Sequence, residues 1–196
     1  MREIILASAS ERRSRILSEC GIRHRVVPSG VEEMIGKSES IREIVQVNAS
    51  KKAGKVALNE KKAVVIGADT LVVCGSEIIG KPEDERAAKE LLRKFSGAEV
   101  EVYTGLCVYV PEEGLIVKGV QRSGLIVMTL TEKQVDKYFN LLGPYDKAGG
   151  FSIEGVGSLI FDDIKGSYFN ILGLPMIKLG ELFKKAGMDI LDYVQG

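Results

Sequence analysis

Histidine and tryptophan are almost missing from this sequence: 196 residues hold one His and no Trp. A His-rich zinc site is thereby excluded. A Ser-His-Asp triad would have to use His24, for which a plain place at a strand end is the simpler reading. Cysteine is scarce too. Cys20, Cys74 and Cys107 are odd in number and far apart, without a C-x-x-C pair, and read as reduced, buried thiols. Net charge is absent, since Lys+Arg and Asp+Glu both total 27, so no overall field favours nucleic acid or an anionic membrane. An aromatic content of 6% offers no stacking platform for single strands either. No apolar run approaches the roughly 18 residues of a membrane helix, and "MREIILASAS" lacks a signal-peptide core. The expectation is a cytoplasmic protein with no membrane and no nucleic-acid partner. Its chemistry must rest on carboxylates, lysines, arginines and backbone.

What the chain does have is apolar content and alternation. With 45% hydrophobic and 28% charged residues it can bury a full core, and residues 1–196 are read as a single domain. Residues 2–8 read as a buried strand, Ser10 as the N-cap of a helix over 11–20, and Gly21 as its C′ residue. "HRVVP" is a short strand, and the capping box Ser40-x-x-Glu43 announces a helix over 41–58. "AVVIGADTLVVCG" reads as two β halves, with a turn at 75–76 and a return "EIIG". Pro82 and the acidic "EDE" open a helix over 84–95 that Gly97 ends. Segments 99–110 and 115–130 flank "PEEG" as a hairpin, and Thr131-x-x-Gln134 caps a helix to 142. "GPYDKAGG" is a loop, "SLIFDDI" a strand, and Pro175 starts a last helix ending near Gly187. The class is α/β with a mixed sheet.

Four places carry candidate chemistry. In "LASASERRSR" a strand runs through a serine turn into a helix whose first turns hold arginines. Cations are unfavourable at a helix N-terminus. Either the arginines lie in solvent beside an ordinary cap, or an anion sits in the turn. In the 41–58 helix the apolar stripe is Ile41, Val45, Ala49 and Val56, and Lys52 falls on it while Lys51 and Lys55 lie to one side. Such a lysine either snorkels outward or meets a negative charge in a cleft, and the second is the expectation. Asp69 is the only charge between Val64 and Val73, where the two β halves meet. It caps a turn or holds a metal, and on these residues alone the turn is the plainer reading. "GSEIIGKP" nearly spells the phosphate loop G-x-x-x-x-G-K-S/T, but Pro82 replaces the hydroxyl, so a P-loop is not expected. Lys81 still suits a phosphate. Together Arg12, Arg13, Lys52 and Lys81 with Glu32, Glu33 and Asp69 make an inventory suited to metal-assisted chemistry on a polyphosphate.

"LASASERR", "SGVEE", "GADTLVV", "GKP", "DKAGG" and "GSYFNILGLP" stand in the order and spacing of the Maf family of nucleoside triphosphate pyrophosphatases, which the chain resembles over almost its whole length. The resemblance implies an inosine-triphosphatase-like fold, an elongated twisted mixed sheet flanked by helices, with two lobes around a central cleft. It implies cleavage of the α–β phosphoanhydride with Mg²⁺, or another divalent cation such as Mn²⁺, releasing a nucleoside monophosphate and pyrophosphate. By motif, Asp69 is the proton acceptor that activates water, and Glu32 shares metal binding with it. Lys52 and Lys81 hold phosphate oxygens, and Ser8, Ser10, Arg12 and Arg13 line the nucleotide end.

The family resembles two branches, one for dTTP and UTP and one for 7-methyl-GTP. Arg12 and Thr70 match the pyrimidine branch. Glu154 in "FSIEG" stands where that branch has Gln, and an acceptor-only carboxylate suits the adjacent N–H donors of guanine. "GGF" in place of "GAY" also leans to the second branch. The expectation is dTTP/UTP with a broader range, with Glu154 pointing away from the base as the alternative. Further alternatives are a 7-methyl-GTP or broad-specificity enzyme and, in another class, a non-catalytic nucleotide-sensing regulator of septum formation. Family members are often dimers, so a homodimer through the 99–130 hairpin is an expectation of the resemblance.

Overall fold

The computed structural model of the chain describes residues 2–34, 40–142 and 150–195. Among them seven strands form one mixed sheet, in the order β2-β1-β3-β5-β6-β7, with β4 paired to β3. The strands are β1 (Ile4–Leu6), β2 (His24–Val26), β3 (Val64–Cys74), β4 (Glu77–Ile79), β5 (Glu99–Val110), β6 (Leu115–Val127) and β7 (Phe161–Lys165). The helices are α1 (Glu11–Glu19), α2 (Ile41–Ala57), α3 (Glu85–Phe95), α4 (Glu132–Leu142), α5 (Tyr168–Ile171) and α6 (Met176–Lys185). β1 runs parallel to β2 and to β3, with Ile5 opposite Arg25 and Val65. β3 with β4, and β6 with β7, are antiparallel. Parallel neighbours require crossovers, and α1 and α2 supply them. No described helix is long and apolar enough to cross a membrane.

Local chemistry sets the boundaries. Ser10 caps α1 by accepting from the Arg13 backbone, and Gly21 beyond its end has φ 69°. Ser40 and Glu43 close the capping box of α2 in both directions. Asp84 caps α3, and Thr131 and Gln134 pair reciprocally at the start of α4.

The chain divides into two compact units. The first comprises Met1–Thr70, Thr104–Gln121 and Leu172–Gly196, and the second Leu71–Tyr103 and Arg122–Ile171. In the first, Ala49, Ala53, Val56 and Ala57 of α2 pack on Ile5, Val65 and Cys107 of the sheet. In the second, Ala88 and Leu92 of α3 pack on Val135, Tyr138 and Phe139 of α4, and Phe151 stacks edge-on against both Phe95 and Phe161.

Four sequence expectations need correction. Of the three cysteines read as buried, Cys20 and Cys74 are half-buried and Cys107 alone is buried. β3 runs unbroken through Asp69, so that residue sits inside a strand and caps no turn. "SLIFDDI" is a strand only from Phe161, because Gly155–Ile160 wind as a 3₁₀ helix. β6 ends at Val127, and Thr131 is already the cap of α4. Of "GPYDKAGG", residues 143–149 lie outside the described residues.

Candidate functional site

At the end of β1 the backbone leaves the sheet through Ala7 and Ser8, and Ser10 starts α1 one turn before Arg13. That spacing swings the Arg13 side chain back over the turn, where it is buried at 9% exposure. Its Nε donates to the Gly173 carbonyl at 2.8 Å, Nη1 to Ser8 Oγ at 3.0 Å and Nη2 to Thr70 Oγ1 at 2.9 Å. All three partners are neutral. Burial pushes the guanidinium pKa down, and the charges of Asp69 and Glu33 pull it back up. Ser8 Oγ also accepts from the Ser10 amide at 3.2 Å, so its own hydrogen is left to donate. Thr70 Oγ1 is shared with Thr104 Oγ1 at 3.0 Å. Gly173 has φ 95°, and a Cβ there would stand 3.2 Å from Thr70 Oγ1 and 3.5 Å from Arg13 Nε, so glycine serves both conformation and space. The result is a buried positive charge, the polarity an anion requires, held by two hydroxyls and one carbonyl.

One residue before Thr70, Asp69 is the acidic counterpart, only 2% exposed. Lys52 Nζ donates to its Oδ1 at 2.7 Å and Asn48 Nδ2 to its Oδ2 at 3.0 Å. Asn48 and Lys52 are one helical turn apart, so α2 holds each carboxylate oxygen with a separate prong. Lys52 Nζ also donates to Glu33 Oε1 at 2.6 Å and to the Ala68 carbonyl at 3.3 Å. An ammonium has three hydrogens, so all three are engaged by the protein.

These contacts need helix and sheet to lie unusually close. At Gly67 a Cβ would be 2.1 Å from the Ala49 carbonyl oxygen, and at Gly105 2.2 Å from that of Val45. Two glycines facing α2 therefore set the distance over which Lys52 and Asn48 reach Asp69.

Of the residues singled out by sequence, Ser8, Arg13, Thr70, Lys52 and Asp69 are brought together within the first unit. Ser10 serves as a cap, and Arg12 is half-buried. In the acidic pair Glu32 is exposed while Glu33 takes the Lys52 contact. Lys81, exposed, and Glu154, half-buried, lie in the second unit. Sequence reasoning missed Asn48, Thr104 and the Gly173 carbonyl. Asn48 carried a signal, being a polar residue four before Lys52 on the same core-facing line. Thr104 and Gly173 carried none.

The profile of the family described as Maf-like protein matches residues 3–186. The chain belongs to the Maf-like family. Among Maf-like relatives, a dTTP/UTP pyrophosphatase of Dictyoglomus thermophilum is 40% identical over 191 residues, covering 97% of this chain and 99% of that one. One of Desulforamulus reducens is 39% identical over 97% of this chain and all of its own, and one of Bacillus cereus 40% identical over 97% and 98%. A solved dITP/XTP pyrophosphatase from Mycobacterium abscessus is 13% identical, covers 69% of this chain and 92% of its own, and has TM-score 0.42; at that distance the likeness carries no argument.

Proposed function

We propose that this Maf-like protein hydrolyses dTTP and UTP at the α–β phosphoanhydride, giving the nucleoside monophosphate and pyrophosphate. The observation that carries the reading is the pairing on β3 of a buried, doubly held carboxylate, Asp69, with Thr70, which belongs to the buried Arg13 cluster. The names of relatives at about 40% identity over 97% of the chain support the substrate pair.

In this reading water attacks the α-phosphorus, the bond to the bridging oxygen breaks, and pyrophosphate leaves with that oxygen. Asp69 takes the water proton. Its two oxygens are oriented by Lys52 and Asn48, and each keeps an unused lone pair. Arg13 and the Ser8 hydroxyl face the substrate with positive potential and a free donor, at a place fixed before substrate arrives. Because Lys52 has no hydrogen to spare, its task is to hold Asp69 and Glu33 in place, not to grip phosphate. The other candidate cation of the first unit for the polyphosphate is Arg12.

Asp69 and Glu33 converge on one ammonium, and Glu32 precedes Glu33 in sequence with its side chain exposed. Two hard carboxylates form a donor set that fits Mg²⁺ held jointly with substrate phosphates. Asp69 with Glu32 or Glu33 would hold the ion. When bound, Mg²⁺ supplies charge neutralisation along the polyphosphate. Glu154, in place of the pyrimidine branch's glutamine, supports a wider base range than thymine and uracil alone.

The test is pyrophosphate release with Mg²⁺ from dTTP, UTP, CTP, GTP, 7-methyl-GTP and ITP, with Asp69→Asn alongside. Monophosphate and pyrophosphate from dTTP and UTP, abolished in the variant, are expected. Orthophosphate as the product, or no turnover of any triphosphate, would refute the reading.

A further inference from the structure

Asn48 is 2% exposed, and its side chain makes three hydrogen bonds, none of them to its own helix. The Met34 amide donates to its Oδ1 at 2.8 Å. Its Nδ2 donates to the Met34 carbonyl at 3.0 Å and to Asp69 Oδ2 at 3.0 Å. The two ends of the amide are thereby distinguished, since only oxygen can face the Met34 N–H and only nitrogen the carboxylate. No other side chain of this size offers one acceptor and two donors in that arrangement. Asn48 thus reads the Met34 peptide as a β-strand neighbour would, and ties it to the carboxylate of β3.

The adjacent residue completes the picture. Glu33 is held by Lys52, so Glu33 and Met34 are gripped by two prongs of α2 spaced one turn apart, and the same prongs hold the two oxygens of Asp69. Yet Glu33 is half exposed, at 55% of its side chain, and an exposed ion pair alone orders a segment weakly. The buried contact is the one through Asn48.

We infer that Asn48 is a positioning residue, clamping the segment that carries Glu32 and Glu33 against Asp69 so that the acidic groups meet the triphosphate as one unit. The inference rests on the pyrophosphatase reading above for its consequence, though not for its geometry. The Arg13, Ser8 and Thr70 cluster is untouched by the clamp, so binding and turnover should separate.

Two variants and two readouts test it. Asn48→Asp keeps an oxygen for the Met34 N–H, loses the bond donated to the Met34 carbonyl and sets a second carboxyl against Asp69, whereas Asn48→Leu removes all three bonds. Residue-resolved amide exchange should find the Met34 N–H protected in wild type and Asn48→Asp, and fast in Asn48→Leu. Turnover of dTTP should fall roughly 100-fold in both, with KM changing by less than about threefold. Wild-type kcat in folded Asn48→Asp would overturn the proposal, as would a higher KM at unchanged kcat. A Met34 amide equally protected in Asn48→Leu would also overturn it. Should Asn48→Leu fail to fold, the kinetics of Asn48→Asp decide. A wild-type protein without turnover would refute the pyrophosphatase reading and not the clamp, which the exchange data support or overturn by themselves.

Discussion

Replacing Gly67 with alanine probes the link between packing and the site most sharply. The new Cβ would lie 2.1 Å from the Ala49 carbonyl, 2.9 Å from the Ala53 amide and 3.0 Å from the Ala53 Cβ, and the first two are backbone atoms that no rotamer change can move. To reach ordinary contact α2 must withdraw by about 1.3 Å. Bonds now at 2.7 Å from Lys52 and 3.0 Å from Asn48 to Asp69 then pass beyond hydrogen-bonding reach. Overpacking of this kind costs about 1–3 kcal/mol, and in a chain of this size each kcal/mol lowers Tm by about 2–4 °C. Misplacement of the carboxylate by about 1 Å should lower kcat roughly 100-fold. Gly54→Ala is the control. It lies in the same helix, where an added Cβ would meet nothing within 4 Å, and alanine there should stabilise by about 0.5–1 kcal/mol with activity unchanged. Thermal unfolding and pyrophosphate release on both variants read the result. Wild-type Tm and kcat in Gly67→Ala would refute the claim that close approach of helix and strand builds the site.

Three further outcomes follow from individual contacts. Lys52→Met leaves Asp69 buried without its counter-charge and should cost about 3–5 kcal/mol, most of it regained in Lys52→Met/Asp69→Leu, which denaturant titration would detect; a stable single variant contradicts this. Glu43 is held below the usual carboxylate pKa by the Ser40 backbone amide and then its hydroxyl. A depressed pKa stabilises above the ordinary value, and that stabilisation is lost as pH falls through the folded one, so wild type should exceed Glu43→Gln in Tm at neutral pH and lose that advantage by pH ~3. Burial pushes the Cys107 thiol up to about 11. It should therefore be the last of the three cysteines to react with a thiol reagent at mildly alkaline pH; equal rates would contradict its placement.

Much of this was legible in the sequence because the signals are local. Ser10, Ser40 and Thr131 mark helix starts through bonds to backbone three residues on, and Lys52 betrays itself by lying on an apolar line. What stayed hidden depends on distant segments. That Arg13 finds neutral acceptors from Ser8, Thr70 and Gly173 requires residues 160 apart in sequence to meet. The unbroken course of β3 through Asp69 is fixed by its partners on either side, not by its own polar residue. Gly155–Ile160 contain Val156, Leu159 and Ile160, yet wind as a 3₁₀ helix in which Gly157 lies so near the Ser152 carbonyl that a Cβ would be 2.3 Å away. The choice between Glu32 and Glu33 as partner of Lys52 is a matter of backbone direction in a loop, to which residue identity is blind.

The central claim is that water attacks the α-phosphorus of a pyrimidine nucleoside triphosphate under the control of Asp69. Hydrolysis of dTTP in oxygen-18 water, with the products resolved by mass, tests it directly. The account requires one labelled oxygen in the thymidine monophosphate and none in the pyrophosphate, with no product from Asp69→Asn. Label in the pyrophosphate, or in orthophosphate, would place the attack on the wrong phosphorus and contradict it.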